Sequence, residues 1–345
     1  MPASQPTSSS RRFLPAVVLL AVAALLWIFR SRIHFDFHAV LQQLRTVSLG
    51  FVLAAIASLY SGYIFRALRW RILLDPIRPA TTLELLPAQF IGFAMVGLIG
   101  RVADLSRPYL IARRLSTPVA TQLAIYSIER AFDLAAAAIL FSITLAFAPA
   151  SMPHHEAFAR AGILSLAATL GLAAFAVSVR ITGDRIASLA TKLLHPLSPR
   201  FGETVAARLL DFRHGLQAIT TLRELLYALA CSLVIWVGIA ATYLFSARAF
   251  IASPELATFS IAATMLLLAT SMGGSLVQLP VLGWFTQIAV LAAALHGFFS
   301  VPLEAATACG TVLQFITNFS VVPAGLIAAQ IQGVSLKEAA TTPST

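Results

Sequence analysis

The stretch "GLIGRVADLSRPYLIARR", residues 97–114, places four arginines and one aspartate between two strongly apolar segments. Its core is an Arg-x-x-Asp-x-x-Arg pattern formed by Arg101, Asp104 and Arg107, with glycines before it and Pro108 directly after. A solvated cytoplasmic loop has this composition, and so has the charged rim of a membrane cavity. The segments around the stretch decide between the two.

The composition predicts an all-α polytopic membrane protein. Of the 345 residues, 59% are hydrophobic and 11% are charged, whereas soluble domains have roughly 45–50% apolar and about 25% charged residues. Runs such as "LAAAAILFSITLAFA" lack the alternation of β-barrel strands. The net charge of +10 is typical of cytoplasmic loops facing anionic headgroups, so no nucleic-acid partner is predicted.

The apolar segments predict about eight membrane-spanning helices plus at least one re-entrant hairpin. Segment 84–100 is short and is interrupted by Pro87 and three glycines. A full crossing there would put the Arg-rich stretches 66–78 and 101–114 on opposite sides, against the positive-inside rule. We therefore expect 84–100 to dip in and return, which irregular backbone permits where it lines a cavity. This topology puts 18 Lys and Arg inside and 5 outside, and it predicts that both termini are cytoplasmic.

The chain divides into a single transmembrane domain with two short tails. The predicted parts are a disordered tail over 1–12, the membrane domain over 13–330 and a disordered tail over 331–345. Within the domain, 181–222 is the sizeable polar interruption and is predicted to be a cytoplasmic amphipathic connector.

Two pairs of segments suggest an internal repeat. The Ser-x-Pro sequences "LSTPVATQLA" (115–124) and "FSVPLEAATA" (299–308) each precede a long apolar helix, and each follows a glycine-interrupted segment. In the predicted topology the two Ser-x-Pro helices run in opposite directions, which is the inverted repeat of many transporters. Chance similarity between Ala/Leu-rich helices is the alternative.

Several charges fall where lipid is expected. Glu129, Arg130 and Asp133 lie in one long apolar helix, and such groups mark either function or a paired structural contact. Arg66 and Arg69 end the second span and are either membrane anchors or part of a phosphate-binding cluster, for which the guanidinium fork is suited.

The second half has polar but uncharged side chains at membrane depth, among them Gln278 and Gln287, which either bind substrate or join helices. Arg113 and Arg114 are interpreted as solvated anchors. No metal site and no cofactor are predicted. The predicted substrate-binding residues are Arg66, Arg69, Arg101, Asp104, Arg107, Glu129, Arg130, Asp133, Gln278 and Gln287.

Four stretches occur in a characteristic order: "YIFRALRW" (63–70), "GLIGRVADLSRPYLIARRLS" (97–116), "ERAFD" (129–133) and "SLVQLPVLGWFTQ" (275–287). Through them the chain resembles the flippase-like family, which comprises the transmembrane region of lysylphosphatidylglycerol synthases and its free-standing relatives. In the family's Pro-Gly-Arg-x-Gly-Glu-x-x-Arg-type stretch, Arg101, Asp104 and Arg107 take the charged positions, with Asp in place of Glu. The second-half Pro-Gly-Gly-x-Gly-x-x-Glu-type stretch keeps Pro280 and Gly283 but has Thr286 and Gln287 where an acid would stand. The resemblance covers about residues 45–330 and implies lipid handling in the plasma membrane.

Three functions fit these features. The first is a transporter or flippase for an anionic or phosphate-containing lipid, moved or presented through an Arg/Asp-rimmed cavity. The second is a non-catalytic accessory protein for a partner lipid-modifying synthase or transferase. The third is a membrane-embedded glycosyl- or phosphotransferase, although the outer loop 30–48 has Asp36 alone and no Asp-x-Asp. Because no Gly-x-x-x-x-Gly-Lys stretch and no catalytic motif occur, we expect that the protein is not an enzyme.

Overall fold

The computed structural model describes residues 36–147, 155–194, 198, 200, 202–207, 221–274 and 282–333. These residues form helices and short connections, with no strand among them, which confirms the all-α class. The helices are α1 (Phe37–Arg45), α2 (Leu49–Leu74), α3 (Thr82–Ile99), a 3₁₀ helix (Arg101–Leu105), α4 (Ser106–Leu115), α5 (Val119–Ala146), α6 (His155–Leu194), α7 (Leu222–Arg248), α8 (Pro254–Ala257), α9 (Ile261–Gly274), α10 (Leu282–Phe299), α11 (Leu303–Gln314), a π turn (Phe315–Phe319) and α12 (Val322–Ile331).

Several helices are suited to a membrane. In the described part of the chain, α2, α3, α7 and the continuous α11–α12 stretch are long and apolar enough to cross it. Helices α9 and α10 are apolar but shorter. Helix α5 has 28 residues and carries Glu129, Arg130 and Asp133 within five positions. The number of crossings stays a prediction.

Helix α3 runs unbroken through the segment in which the sequence predicts a complete hairpin. It begins at a capping box, in which Thr81 and Glu84 satisfy each other's backbone N–H groups. It continues past Pro87 and ends at Gly100, whose φ of +102° favours glycine. The turn therefore lies at Gly100 and not within 84–99, which corrects the predicted extent of the hairpin.

The chain after this turn folds back along α3. Arg107 of α4 packs its aliphatic stem against Gly92 and donates a hydrogen bond to Gln89. Further along α4, Leu110 and Ile111 enter the apolar cluster to which α3 contributes. Arg101, Asp104 and Arg107 consequently lie at the turn and on the returning limb, and not in a loop beyond it.

Both ends of this hairpin lie at the same end of α2. Trp70, near the last residue of α2, donates its indole N–H to Gln122 in the first turn of α5 at 2.9 Å. Gln122 in turn donates to Thr117 at 3.0 Å. The chain thus leaves the end of α2, forms α3 and α4, and begins α5 next to the end of α2.

The two halves of the fold meet along α2 and α7. Thr242 donates its hydroxyl to the carbonyl of Ala55 at 3.2 Å, and Gly238 allows the backbone at Ser58 to approach closely. Small residues at such crossings let helices approach within van der Waals contact. The tip of α3 packs against Asn318 of the π turn through Gly97. The sequence predicts 273–286 as the partner of this tip, and 275–281 lie outside the described residues.

The polar interruption 181–222 is only partly described. Its first residues, 181–194, continue α6, which has a kink at Thr182 (φ −124°, ψ 28°). Residues 208–220, in which an amphipathic helix is predicted, lie outside the described part, as do both predicted tails.

The two Ser-x-Pro sequences have the same backbone conformation. Ser116 and Ser300 have φ values of 52° and 54°, and they are the non-glycine residues with positive φ in the described part of the chain. Two residues later, Pro118 and Pro302 cap the following helices with closely similar angles. Each proline follows two consecutive helices and precedes a long helical stretch, so the order of the described elements is similar as well.

Candidate functional site

Arg69 is the centre of a buried network of ionised side chains. Its guanidinium is completely buried and donates to Asp133 at 2.6 Å, to Glu129 at 2.6 Å and to the Ser232 hydroxyl at 2.6 Å. These bonds join α2, α5 and α7. Glu129 and Asp133 reach the same arginine because residues four apart share a helix face.

Two further arginines bind the same carboxylates. Arg66 lies one turn before Arg69 and contacts Asp133 at 3.3 Å and Glu129 at 3.6 Å. Arg130 contacts Asp133 at 3.0 Å and Glu129 at 3.5 Å. Arg66 is nearly buried, whereas the Arg130 side chain is 37% exposed. Arg130 is therefore the more accessible of the two cations.

Arg107 reaches the network from the returning limb of the hairpin. It is completely buried and donates to Asp104 at 2.8 Å and to Gln89 at 3.0 Å, and it lies 3.3 Å from Glu129. The Phe93 ring lies 4.7 Å from its guanidinium carbon, at cation–π distance. The network thus fixes the hairpin to α5.

Asp104 completes the network at its accessible end. It accepts the Tyr126 hydroxyl at 2.7 Å and lies 3.7 Å from Arg130. Tyr126 also stacks on Arg130, with 5.0 Å between guanidinium and ring centre. The Asp104 carboxylate and the Tyr126 ring therefore orient Arg130, the partly exposed arginine of the network.

The network carries an excess of positive charge. Among the described residues it comprises four arginines and three carboxylates, which leaves one positive charge uncompensated. Arg66 lies eight residues before the end of α2, which is about 12 Å along a helix. An unbalanced charge at such depth in an apolar bundle attracts an anion.

A cavity of about 550 Å³ opens beside the network. Small-molecule sites range over about 300–1,000 Å³. Its apolar walls include Tyr63, Phe93, Trp236 and Leu268, and its ionised wall is formed by Arg66, Arg101, Asp104, Arg130 and Asp133.

Several residues of the two halves line this cavity at the same spacing, whereas Tyr63, Tyr126 and Leu313 line it without such a counterpart. Helix α2 contributes Ser58, Leu59, Gly62 and Arg66, and α7 contributes Ile235, Trp236, Ile239 and Tyr243 with identical spacing. Likewise α5 contributes Arg130, Asp133 and Leu134, and the α11–π stretch contributes Gln314, Thr317 and Asn318, at the same distances from Pro118 and Pro302.

The structure brings nearly all predicted site residues together, in two tiers. The five residues of the ionised wall, which include the exposed Arg101, line the cavity together with the buried Gln287, whereas Arg69, Arg107 and Glu129 lie behind it. The sequence places Arg107 at the rim, but it is buried in the supporting network, so its loss is expected to affect folding. Arg113 and Arg114 are exposed, as expected of anchors. Gln278 lies outside the described residues.

Sequence reasoning missed several neutral members of the site. Gln89 and Ser232 lie in apolar helices without any distinguishing signal. Tyr126 lies four residues before Arg130, and this spacing indicates a shared face. Trp236 and Tyr243 become recognisable only when α7 is aligned with α2 by the spacing of the cavity-lining residues.

These features define a helical membrane protein with a charged cavity among its helices. The chain belongs to the family described as the lysylphosphatidylglycerol synthase TM region, whose pattern matches residues 15–325. Comparison with curated proteins found no match, and comparison with solved structures found none. Membership confirms the resemblance seen in the sequence, and it makes the protein an integral membrane protein.

Gly92 provides a direct test of how tightly the network is packed. In Gly92→Ala, the new methyl would collide with Cγ of Arg107 and lie 2.9 Å from its Cδ. Because Arg107 is held by several ionic bonds, it cannot move aside, and we expect a loss of about 1–3 kcal/mol. Thermal unfolding in detergent measures it. Gly171→Ala is the control, because its site is exposed and open and alanine favours the helix. Equal melting temperatures for both variants would contradict tight packing here.

Proposed function

We propose that this protein is a lipid transporter or flippase of the plasma membrane, which moves or presents the phosphate-bearing headgroup of an anionic lipid through its cavity. The observation that carries the proposal is the excess positive charge of the network, offered to the cavity by half-exposed Arg130. A phosphodiester supplies one negative charge and oxygens suited to a guanidinium fork. The apolar walls suit the part of the lipid nearest the acyl chains.

The geometry of α3 and α4 supports a re-entrant hairpin. Because the Trp70–Gln122 bond holds the end of α2 beside the start of α5, α3 and α4 enter and return on one side. We infer that this side is cytoplasmic, since Arg71, Arg78, Arg113 and Arg114 lie at these helix ends. In this arrangement both termini are cytoplasmic, and Arg101 at the turn lies deep in the membrane.

The matched Ser-x-Pro backbones and the matched lining positions support an inverted repeat. In such transporters the substrate site lies where the two repeats meet, and alternating access arises when one repeat moves against the other. Residues of both α2 and α7 line the cavity, which supports this arrangement. No ATP-binding loop occurs in the sequence, so we propose that transport is passive, ion-driven or coupled to a partner, and that the protein is not an enzyme.

The proposal is tested with purified protein in liposomes that contain a trace of fluorescent anionic lipid. A membrane-impermeant reagent that destroys the fluorophore measures how much lipid reaches the outer leaflet. We expect the wild type to expose the inner-leaflet pool of an anionic phospholipid and to leave phosphatidylcholine nearly untouched, and protein-free liposomes to expose neither. A soluble glycerophosphate should compete poorly, because it lacks the apolar part. Failure with every anionic lipid would favour the accessory role beside a partner synthase or transferase.

A further inference from the structure

One nitrogen of Arg130 is left for a ligand, and a carboxylate of the protein faces it. The Nε and Nη2 atoms of Arg130 are buried, and Nη2 lies 3.0 Å from Asp133 and 3.5 Å from Glu129. The side chain as a whole is 37% exposed and lines the cavity. Nη1 is therefore the guanidinium nitrogen that can meet an anion there, and it lies 3.7 Å from Oδ2 of Asp104.

The contact between Asp104 and Arg130 is loose. Its 3.7 Å is the longest of the ionic contacts described above for the network, and it exceeds hydrogen-bond distance. Asp104 has shorter bonds, to Nε of Arg107 at 2.8 Å and to the Tyr126 hydroxyl at 2.7 Å. Arg130 likewise has a shorter contact with Asp133, at 3.0 Å. Each partner can therefore give up the other without being left unpaired.

Asp104 stands in the place that a bound anion would take. Its side chain is 17% exposed and lines the same cavity as Arg130. An anion within hydrogen-bond reach of Nη1 would lie a few ångströms from this carboxylate, and like charges at such distances repel each other even near a protein surface. The carboxylate and an incoming anion consequently exclude each other.

We propose that Asp104 is an internal counter-ion of Arg130, which competes with the anionic group of the ligand for Nη1. In the empty cavity the carboxylate partly compensates the cation, because an uncompensated charge in an apolar bundle is costly. A bound phosphate takes its place, and the return of the carboxylate favours release. The inference rests on the proposed function, because it concerns the anion that the same cavity would hold.

Tyr126 restrains this competitor. Its hydroxyl donates to Oδ2 of Asp104, the oxygen that faces Nη1 of Arg130. The hydrogen bond occupies that oxygen without removing its charge, and it holds the carboxylate beyond hydrogen-bond distance from the guanidinium. Loss of the hydroxyl alone would let Oδ2 approach Nη1, while the ring that stacks on Arg130 would remain.

The test measures the dissociation constant of dihexyl phosphate, a phosphodiester with one negative charge and two short apolar chains, in a non-ionic detergent. In Asp104→Asn the amide oxygen still accepts one of the two hydrogen bonds, but the charge is gone. We expect about tenfold tighter binding, equivalent to about 1.4 kcal/mol. Headgroup movement in liposomes should nevertheless become slower, because release is no longer assisted. Trihexyl phosphate, which is uncharged, should bind wild type and variant equally.

Tyr126→Phe is expected to act in the opposite direction. Once Oδ2 of Asp104 closes on Arg130, dihexyl phosphate should bind about threefold more weakly, as an ion pair of about 0.6 kcal/mol implies. Glu84→Gln is the matched control, because it removes one negative charge from an exposed position of α3 that does not line the cavity. Glutamine also keeps the capping box. This variant should keep the wild-type dissociation constant.

The sign of the effects separates this inference from the proposed function. Unchanged or weaker binding of dihexyl phosphate by Asp104→Asn would overturn the competition and leave the anion site standing. Equal tightening by Glu84→Gln would reduce the effect to net charge and would also overturn it. If Asp104→Asn fails to fold, Tyr126→Phe decides, and unchanged or tighter binding there would contradict the inference. Failure of wild type and both site variants to bind would refute the proposed function and this inference with it.

Discussion

Replacement of Arg69 by methionine is expected to lower the free energy of unfolding by about 3–5 kcal/mol, because it leaves paired carboxylates buried without their closest cation. Arg69 is completely buried and makes the shortest bonds to both Glu129 and Asp133. Its loss also frees the Ser232 hydroxyl that links α7 to the network. The melting temperature in detergent and the yield of monodisperse protein measure the effect.

Arg71→Met is the matched control, since Arg71 lies two residues further along α2 and is exposed. We expect it to cost at most about 1 kcal/mol. A second comparison separates charge from volume. When Glu129→Gln is added to Arg69→Met, a buried carboxylate that has lost its closest cation becomes a neutral amide, so the double variant should be less destabilised than the sum of the single changes. Strict additivity, or an Arg69→Met protein as stable as the wild type, would refute the view that the network holds α2, α5 and α7 together.

The sequence predicted the membership of the ion network well, because the reasoning used helix periodicity and the cost of charge in lipid. Glu129 and Asp133 share a face whatever the tertiary structure, and an apolar helix leaves them no partner except other charges. The spacing of residues in the sequence does not determine how deeply each one is buried. Arg107 and Arg101 lie six residues apart, yet one is buried behind the cavity wall and the other is exposed at the cavity.

The glycines of residues 84–100 explain why the extent of the hairpin was predicted wrongly. Glycines in 84–100 suggested chain reversals, but Gly92 and Gly97 lie inside a continuous helix, at contacts with Arg107 and Asn318 that leave no room for a side chain. Gly100 alone has a φ that requires glycine. Sequence does not distinguish a glycine needed for close packing from one needed for a turn, since both roles depend on what lies opposite.

Replacement of Arg130 by alanine is expected to weaken binding of an anionic lipid about 10–150-fold, the equivalent of one charge-assisted hydrogen bond of about 1.5–3 kcal/mol. The change removes the single positive charge in excess, so the remaining network is neutral. Stability should change by less than about 1 kcal/mol, since Arg130 is partly exposed. Every carboxylate it touches also retains a buried arginine: Asp104 keeps Arg107, and Glu129 and Asp133 keep Arg69.

Two further variants decide whether charge at this position acts on the ligand. Arg130→Lys should recover only part of the affinity, because an ammonium keeps the charge but loses the fork that binds two phosphate oxygens. Arg114→Ala removes an exposed arginine outside the cavity and should leave binding unchanged. Dissociation constants and headgroup movement in liposomes are measured beside melting temperatures. If Arg114→Ala and Arg130→Ala weaken binding equally, net basic charge alone attracts the lipid. If the loss in Arg130→Ala follows a fall in melting temperature, Arg130 belongs with Arg69 to the structural part of the network. If Arg130→Ala weakens binding without lowering the melting temperature, the network has two tiers. The buried arginines then hold the helices together, and the partly exposed Arg130 binds the anion.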